Sequence, residues 1–518
     1  MTILLSACLS GHEGHIPAAD KKITGFYLVK DTAQRMNDPR YFKHEYKQIN
    51  KRRNDNYGLQ EVAVPTNRIG LAMSGGGIRS SAFHLGILAG LNEEKYKNKS
   101  LIDRIDYISS VSGGSWANGA YWANKVDDDL FFSQLDKTVN NVLIDPPYLR
   151  VNQNPLTLSD NDKNILEKFT EFFTLQEKEK WENDIFKYYL GNRNVRLNDT
   201  ESYKYNYTTK PYMIINSTHS RTSELGSRHN LPFQTTADYI GTLIDDEEGH
   251  TGWFVNLNAN SNFKWENRKW QRYWKFWKFN PGTRQGHTLS LAMAHSSGVV
   301  GTPIGLQYHF HLRYKGHCFN ELREYYALTD GGKSENLGML ALIERNVDLI
   351  IVSHMGNENK AFEDLKLAAK QVKKLFGRDV DQNFSDNNDV IIPANYREDN
   401  GKVVGKLLHI RPKNKQAKIE FISELENKGY LDLAIYLKNE ERAVEDKFFN
   451  DRYETDKQGE PLDEDDKKEL AELKKYIFPM TPTFKVNYSG QLIRCYYLYG
   501  KFLTKQYLYK EIKNQLNH

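Results

Sequence analysis

Two short apolar runs, each closed by a glycine turn and each followed by helix-periodic sequence, constrain this chain more than any other feature. The first is Ile69-Gly70-Leu71-Ala72-Met73, ending in Ser74-Gly75-Gly76-Gly77. After it Ile78, Ala82, Leu85, Leu88 and Leu91 recur at three- and four-residue spacing, which predicts a helix. The second runs from Ile105 to Val111, turns at Ser112-Gly113-Gly114 and continues into a small-residue segment from Ser115 to Asn124. Further strands read at Tyr212 to Asn216, Tyr326 to Thr329, Asp348 to Ser353 and Lys406 to Ile410. The third of these is apolar throughout its interior, as a strand covered on both faces must be. Strands alternating with helices imply an α/β fold: a mainly parallel central sheet, helices on both faces, reactive groups at the strands' C-terminal ends.

The rest of the chain organises around that core. We expect an N-terminal extension over residues 1–67, with the charged stretch from Asp38 to Asn56 as an arm or surface helix. The core spans residues 68–415, with insertions at about 126–205 and 219–290, and a helical region over 416–518 packs on it. The first insertion reads as mostly helical. The second holds Trp265, Trp270, Trp274, Phe276 and Trp277 interleaved with lysines and arginines. Trp270, Trp274 and Trp277 fall at i, i+4 and i+7, which predicts an amphipathic helix, either a cover on the core or a segment lying in a lipid interface.

Composition narrows the function classes. The chain has 518 residues, 71 basic against 67 acidic, for a net charge of +4. So balanced a charge gives no polyanion-binding signal, and nucleic acid is not an expected partner. Cys8, Cys318 and Cys495 are too few and too scattered for a disulfide framework or a structural zinc site. His309 and His311 would share one face of a strand but lack an evident third ligand, so no metal is expected. Leu5-Ser6-Ala7-Cys8 resembles a lipobox without its basic and apolar flanks. If Cys8 is lipidated, the protein is a peripheral or lipid-anchored envelope protein; otherwise it is cytoplasmic, and Cys8 is an inert thiol.

The chemistry sits at the turns. A serine on a tight strand-to-helix turn is pushed out of the sheet, its hydroxyl facing a helix N-terminus. The pattern wants small residues either side, and here it reads Ser110-Val111-Ser112-Gly113-Gly114, with serine in place of the leading glycine. Alone, that pentapeptide serves equally as a helix-capping turn. Three consecutive glycines at 75–77 would present successive main-chain N–H groups to an anion, as a tetrahedral acyl intermediate requires. A nucleotide-phosphate loop fits poorly, since both the Walker lysine-serine pair and the third glycine of a dinucleotide fingerprint are missing. Arg79 could meet a phosphate or brace the loop through carbonyls. Asp330-Gly331-Gly332, after a strand, lets another backbone approach a carboxylate closely, although such a tripeptide is more often only a turn. His354, after the buried strand, is the best-placed histidine for a Ser-His-Asp triad, and His295 reads as structural.

Taken in order, Ser-Gly-Gly-Gly-x-Arg, a small-x-Ser-x-Gly elbow and a later Asp-Gly-Gly resemble the patatin-like phospholipases. Ser112-Gly113-Gly114-Ser115-Trp116 looks closest to the cytosolic phospholipase A branch, while Asp330-Gly331-Gly332-Lys333-Ser334-Glu335-Asn336-Leu337-Gly338 and Phe478-Pro479-Met480-Thr481-Pro482-Thr483 match bacterial members. The resemblance covers Arg68 to about Gly356 and implies the three-layer patatin-like fold. It implies Ser112 as acyl-accepting nucleophile and Asp330 as its base, a dyad without histidine. It further implies Gly75, Gly76, Gly77 and Gly113 around the oxyanion, Gly114, Gly331 and Gly332 in support, and no cofactor. The substrate would be a phospholipid or lysophospholipid at a membrane surface. A neutral ester or thioester, or lipid binding without turnover, are the alternatives. Ser109, Ser110 and Ser115 are rival nucleophiles without the central elbow position.

Overall fold

The computed structural model describes residues 26–28, 39–58, 64–140, 211–222, 228–242, 253–256, 264–273, 276–285, 288–297, 308–311, 325–356, 362–381, 389–452, 477–481 and 489–517, with isolated positions between them. Eleven strands matter for the site and its surroundings. In chain order they are β1 (Ile69–Met73), β2 (Tyr107–Val111), β3 (Tyr212–Thr222), β4 (Arg228–Thr236), β5 (Lys264–Tyr273), β6 (Phe276–Gln285), β7 (Tyr308–His311), β8 (Tyr325–Thr329), β9 (Leu349–Ser353), β10 (Ile391–Arg397) and β11 (Val403–Ile410).

Neighbours across the centre run β3-β2-β1-β9-β11-β10, part of one 15-stranded sheet. The pairs β3/β2, β2/β1, β1/β9 and β9/β11 are all parallel. The expected parallel core is therefore present, and its register aligns strand ends: Met73 pairs with Ser110 and Ser353, and Ser110 with Ile215. Each of these strands then hands over to a loop on the same side of the sheet. Outside this centre the sheet turns antiparallel, with β10 on β11 at one side and β4 on β3 at the other. β8 also joins in antiparallel sense, through Leu328↔His219 and Thr329↔Thr218.

Alternation along the buried strands feeds two cores. Leu71, Met73, Ile108, Ile215, Ile351 and Ile410 point into one. Ala72, Tyr107, Ile214, Ile350, Val352 and Leu407 point into the other. The helices divide accordingly. In chain order we label α1 (Pro39–Tyr57), α2 (Gly77–Glu93), α3 (Gly113–Ala123), α4 (Asp128–Asn140), α5 (Leu289–Ser296), α6 (Leu340–Glu344), α7 (Glu363–Phe376), α8 (Lys415–Asn427), α9 (Leu431–Arg452) and α10 (Gly490–Leu503). α2, α3 and α10 contribute to the first core, α6 and α7 to the second. α2 is buried along nearly its whole length, because α10 lies directly on it.

Two expectations need correction. The charged stretch before the core is a helix, α1, but it does not ride on the surface. Phe42, Glu45, Tyr46 and Ile49 are buried, and Glu45 makes an ion pair with the fully buried Arg345 at 2.8 Å. The aromatic-basic segment is not a helix. Lys264–Tyr273 and Phe276–Gln285 form an antiparallel pair, with Trp270 opposite Phe279 and Arg272 opposite Trp277. The side chains of that pair, Trp274, and the side chains of His309 and His311 lie outside the described residues, as do Cys8 and Cys318. Among the described residues no helix is long and apolar enough to cross a membrane.

Candidate active site

The site grows from the sheet's C-terminal edge. β2 ends at Val111, and α3 begins at Gly113, leaving a single residue to reverse the chain. Ser112 does so at φ 50°, ψ −121°, a conformation that costs a non-glycine residue roughly 1–3 kcal/mol and persists only where its surroundings hold it. Those surroundings can be named. The Ser112 N–H donates to Ser296 Oγ at 3.0 Å, and Ser296 Oγ donates to the Asn216 carbonyl at 2.6 Å. Ser115 Oγ lies 2.8 Å from the same Ser296 oxygen. Because Ser296 gives its one proton to Asn216, Ser115 must be the donor to it. One hydroxyl on α5 thus uses its donor and both acceptor positions at the elbow.

The serine at the leading position of the elbow is accommodated. Ser110 is fully buried, its Oγ donating to the Ile214 carbonyl at 3.1 Å and accepting from Asn118 Nδ2 at 2.9 Å. A second anchor, Asn216 Nδ2, donates to Ser109 Oγ at 2.8 Å and to the Ser110 carbonyl at 3.0 Å. Ser109, Ser110 and Ser115 are each fully buried and hydrogen-bonded, whereas Ser112 retains partial exposure.

The triple-glycine turn lies against this elbow. A methyl placed on Gly75 would sit 3.3 Å from Ser112 Cβ, and one on Gly113 would overlap the Gly77 carbonyl. Gly76 and Gly77 take φ of 138° and 60° at the start of α2, values that glycine adopts without strain. The Gly75 N–H is already committed, donating to the Asn336 carbonyl at 2.9 Å. The N–H groups of Gly76, Gly77 and Gly113 have no acceptor among the described residues. Three uncommitted donors therefore stand at two adjoining helix starts, and Gly75 serves the turn through its lack of a side chain.

Arg79 is fully buried one turn into α2. Its Nε donates to the Met355 carbonyl at 3.1 Å and its Nη1 to the Thr481 carbonyl, tying the glycine turn to the loop after β9 and to the 478–481 segment. Its Nη2 is buried without a partner among the described residues, and with the whole side chain 0% exposed the two carbonyl bonds tie loops together away from solvent. Ser74 completes the tie: its N–H donates to the Ser353 carbonyl and its Oγ accepts the Met355 N–H.

Asp330 follows β8 and is 4% exposed, with Oδ1 accepting the Gly332 N–H at 2.7 Å. A methyl on Gly331 would overlap the Asn216 carbonyl and come within 2.9 Å of Val111 Cγ1. The Asp-Gly-Gly turn is thus pressed onto the end of the strand that carries Ser112. Burial pushes the neighbouring Glu335 carboxyl up to about 7, against the pull of N–H groups from Leu337, Leu340 and Gly338.

His354 bonds to side chains on α7 and β11. Its Nε2 is 3.0 Å from Asp364 Oδ2 and its Nδ1 3.4 Å from His409 Nε2, so both ring nitrogens are occupied. His295 Nδ1 is held by Ser217 Oγ at 2.8 Å. His84, on α2, bridges Ser80 and the Ser353 carbonyl, and burial lowers it to about 4, neutral at ordinary pH. Sequence reasoning overlooked Ser296, Asn216 and Asn118 as elbow supports. Small polar residues in an otherwise apolar segment, as in Ala294-His295-Ser296-Ser297, are the signal that could have found Ser296.

Comparisons with known proteins bear on the fold and the family. The chain is similar to the human GIVD cytosolic phospholipase A2 structure at 11% identity and a TM-score of 0.55, covering 95% of this chain and 68% of that one. A second structure of that human enzyme, with methyl gamma-linolenyl fluorophosphonate inhibitor and terbium chloride, gives 12% identity and a TM-score of 0.49, covering 95% and 65%. The chain thus spans about two thirds of the length of these structures. No curated protein sequence matches it. The family model for patatin-like phospholipase matches residues 71–343, more than half of the chain and the stretch that holds all three turns. The chain belongs to the patatin-like phospholipase family and is, by that membership, a lipid acyl hydrolase.

Proposed function

We propose that the protein cleaves fatty-acyl esters of phospholipids or lysophospholipids through a Ser112–Asp330 dyad and an acyl-enzyme. The observation that carries this reading is the left-handed elbow at Ser112, set against the Gly75–Gly77 turn with the N–H groups of Gly76, Gly77 and Gly113 uncommitted. Ser112 Oγ attacks the ester carbonyl carbon while its proton passes to the Asp330 carboxylate. The carbonyl oxygen takes up the negative charge and is held by the three N–H groups. Collapse breaks the bond to the glycerol oxygen, which leaves with the proton from Asp330. Water then adds to the acyl-enzyme by the same route, giving the fatty acid and free Ser112.

The substrate class comes from the family, and the membrane surface follows from where such esters reside. The test is product analysis by mass spectrometry after incubating purified protein with mixed phospholipid and lysophospholipid vesicles. Fatty acid should be released by wild type, and by neither Ser112→Ala nor Asp330→Ala. Equal release by all three proteins would sink the dyad. Vesicle binding without release by wild type would replace hydrolysis with lipid binding.

A further inference from the structure

Three glycines on three different loops leave room for one side chain, that of Asn336. A methyl on Gly75 would overlap Asn336 Oδ1, and one on Gly332 would lie 2.9 Å from both Asn336 Oδ1 and Asp330 Oδ1. One on Gly356 would lie 2.6 Å from Asn336 Nδ2. The asparagine therefore sits between the glycine turn and the Asp330 turn, its amide oxygen on the same side of Gly332 as the Asp330 carboxylate. Its main chain joins in, since the Asn336 carbonyl accepts the Gly75 N–H at 2.9 Å.

The orientation of that amide is set from behind. Asn336 Nδ2 donates to Asp364 Oδ2 at 2.8 Å, and Asp364 Oδ2 is also 3.0 Å from His354 Nε2. Burial alone would raise the Asp364 carboxyl, but the hydrogen bond and charge of His354, with Asn336, bring it below the usual range. An ionised carboxylate only accepts, so the amide nitrogen must face it and the amide oxygen must face the two turns. His354 is steadied in turn by His409 on β11. α7, β9 and β11 thus reach the site through one side chain.

We infer that Asn336 is a positioning residue, which fixes the glycine turn and the Asp330 turn relative to each other, and that Asp364 with His354 holds its amide in the working orientation. This rests on the acyl-hydrolase reading above and adds to it the element that keeps donor turn and base turn in one frame. Acylation needs both turns placed on Ser112 together, and a displacement near 1 Å costs about 100-fold in such a step.

The experiment compares wild type, Asn336→Ala and Asp364→Asn in three measurements. These are the second-order rate of labelling by a fluorophosphonate, kcat and KM on a p-nitrophenyl ester, and the melting temperature. Asn336→Ala should lower labelling and kcat by about 30-fold with KM within about 2-fold, at temperatures where it is folded. Asp364→Asn can donate as well as accept, so the Asn336 amide is free to turn over. It should lower the same rates by about 5- to 10-fold. Labelling rates equal to wild type in both folded variants, with only the melting temperatures lowered, would overturn the inference and leave the hydrolase reading standing. A wild type that takes no label at Ser112 would overturn the hydrolase reading, and this one with it.

Discussion

Ser296 Oγ accepts the main-chain N–H of Ser112 at 3.0 Å, and so holds the residue that turns the chain at positive φ between β2 and α3. The same oxygen serves Ser115 and donates to the Asn216 carbonyl. Replacing it with alanine strands two donors and one acceptor in a buried space, at about 1–3 kcal/mol for each group that water cannot reach. Ser296→Ala should therefore lower fluorophosphonate labelling at Ser112 by about 10-fold and shift the denaturant midpoint downward. Wild-type labelling in a destabilised variant would make Ser296 a fold residue only.

The contact between Gly113 and Gly77 predicts a sharper loss. A methyl on Gly113 meets main-chain atoms of Gly77, and neither partner is a flexible side chain that can swing away. Gly113→Ala must push the elbow from the glycine turn, opening the set of N–H groups that we propose hold the oxyanion. Labelling and ester turnover should fall by at least about 100-fold, a loss set by position more than by stability. Retained labelling would show that the two turns need not touch.

Ser110 predicts the opposite division. Its hydroxyl is spent on Ile214 and Asn118, away from Ser112. Ser110→Gly restores the usual elbow residue but leaves Asn118 with only the longer bond to the Ile108 carbonyl at 3.2 Å. Stability should drop by about 1–2 kcal/mol in urea unfolding. Labelling should stay within about 3-fold of wild type. A large gain in labelling would mean that serine at this position throttles the elbow.

How much of this was legible in the sequence follows from the range of the forces involved. The turns at Gly75–Gly77, Ser112–Gly114 and Asp330–Gly332 were readable because the backbone demands that make them are local. The parallel sense of β1, β2 and β9 was readable from their apolar runs and the helices between them, though not their order. Ser296 was not, since its partner lies 184 residues away and its setting in an apolar segment marks it as buried without saying what it braces. The burial of α1 was hidden in the same way: Glu45 looks like solvent-facing charge until Arg345, 300 residues on, is placed beside it. The Trp270–Trp277 misreading has another cause. Spacings of four and seven suit a helix, but no Gly, Asn-Gly or Asp-Gly stands between Tyr273 and Phe276 to announce a hairpin.

Glu335 carries the pH prediction. It accepts N–H groups from Leu337 and Leu340 at the start of α6, directly after the Asp330 turn, and burial raises its carboxyl to about 7. A group whose folded-state value lies above its unfolded one binds its proton more tightly in the folded protein. Its contribution is full below the unfolded value near 4.5 and is lost as pH rises through about 7. Across that window roughly 3 kcal/mol of stability is at stake. Glu335→Gln cannot titrate, so its melting temperature should change less than that of wild type between pH 5 and pH 8. The wild type should be the one that loses stability toward pH 8 relative to the variant. Parallel pH curves for the two proteins would mean that Glu335 titrates outside this window, and that the turn carrying Asp330 is indifferent to its charge.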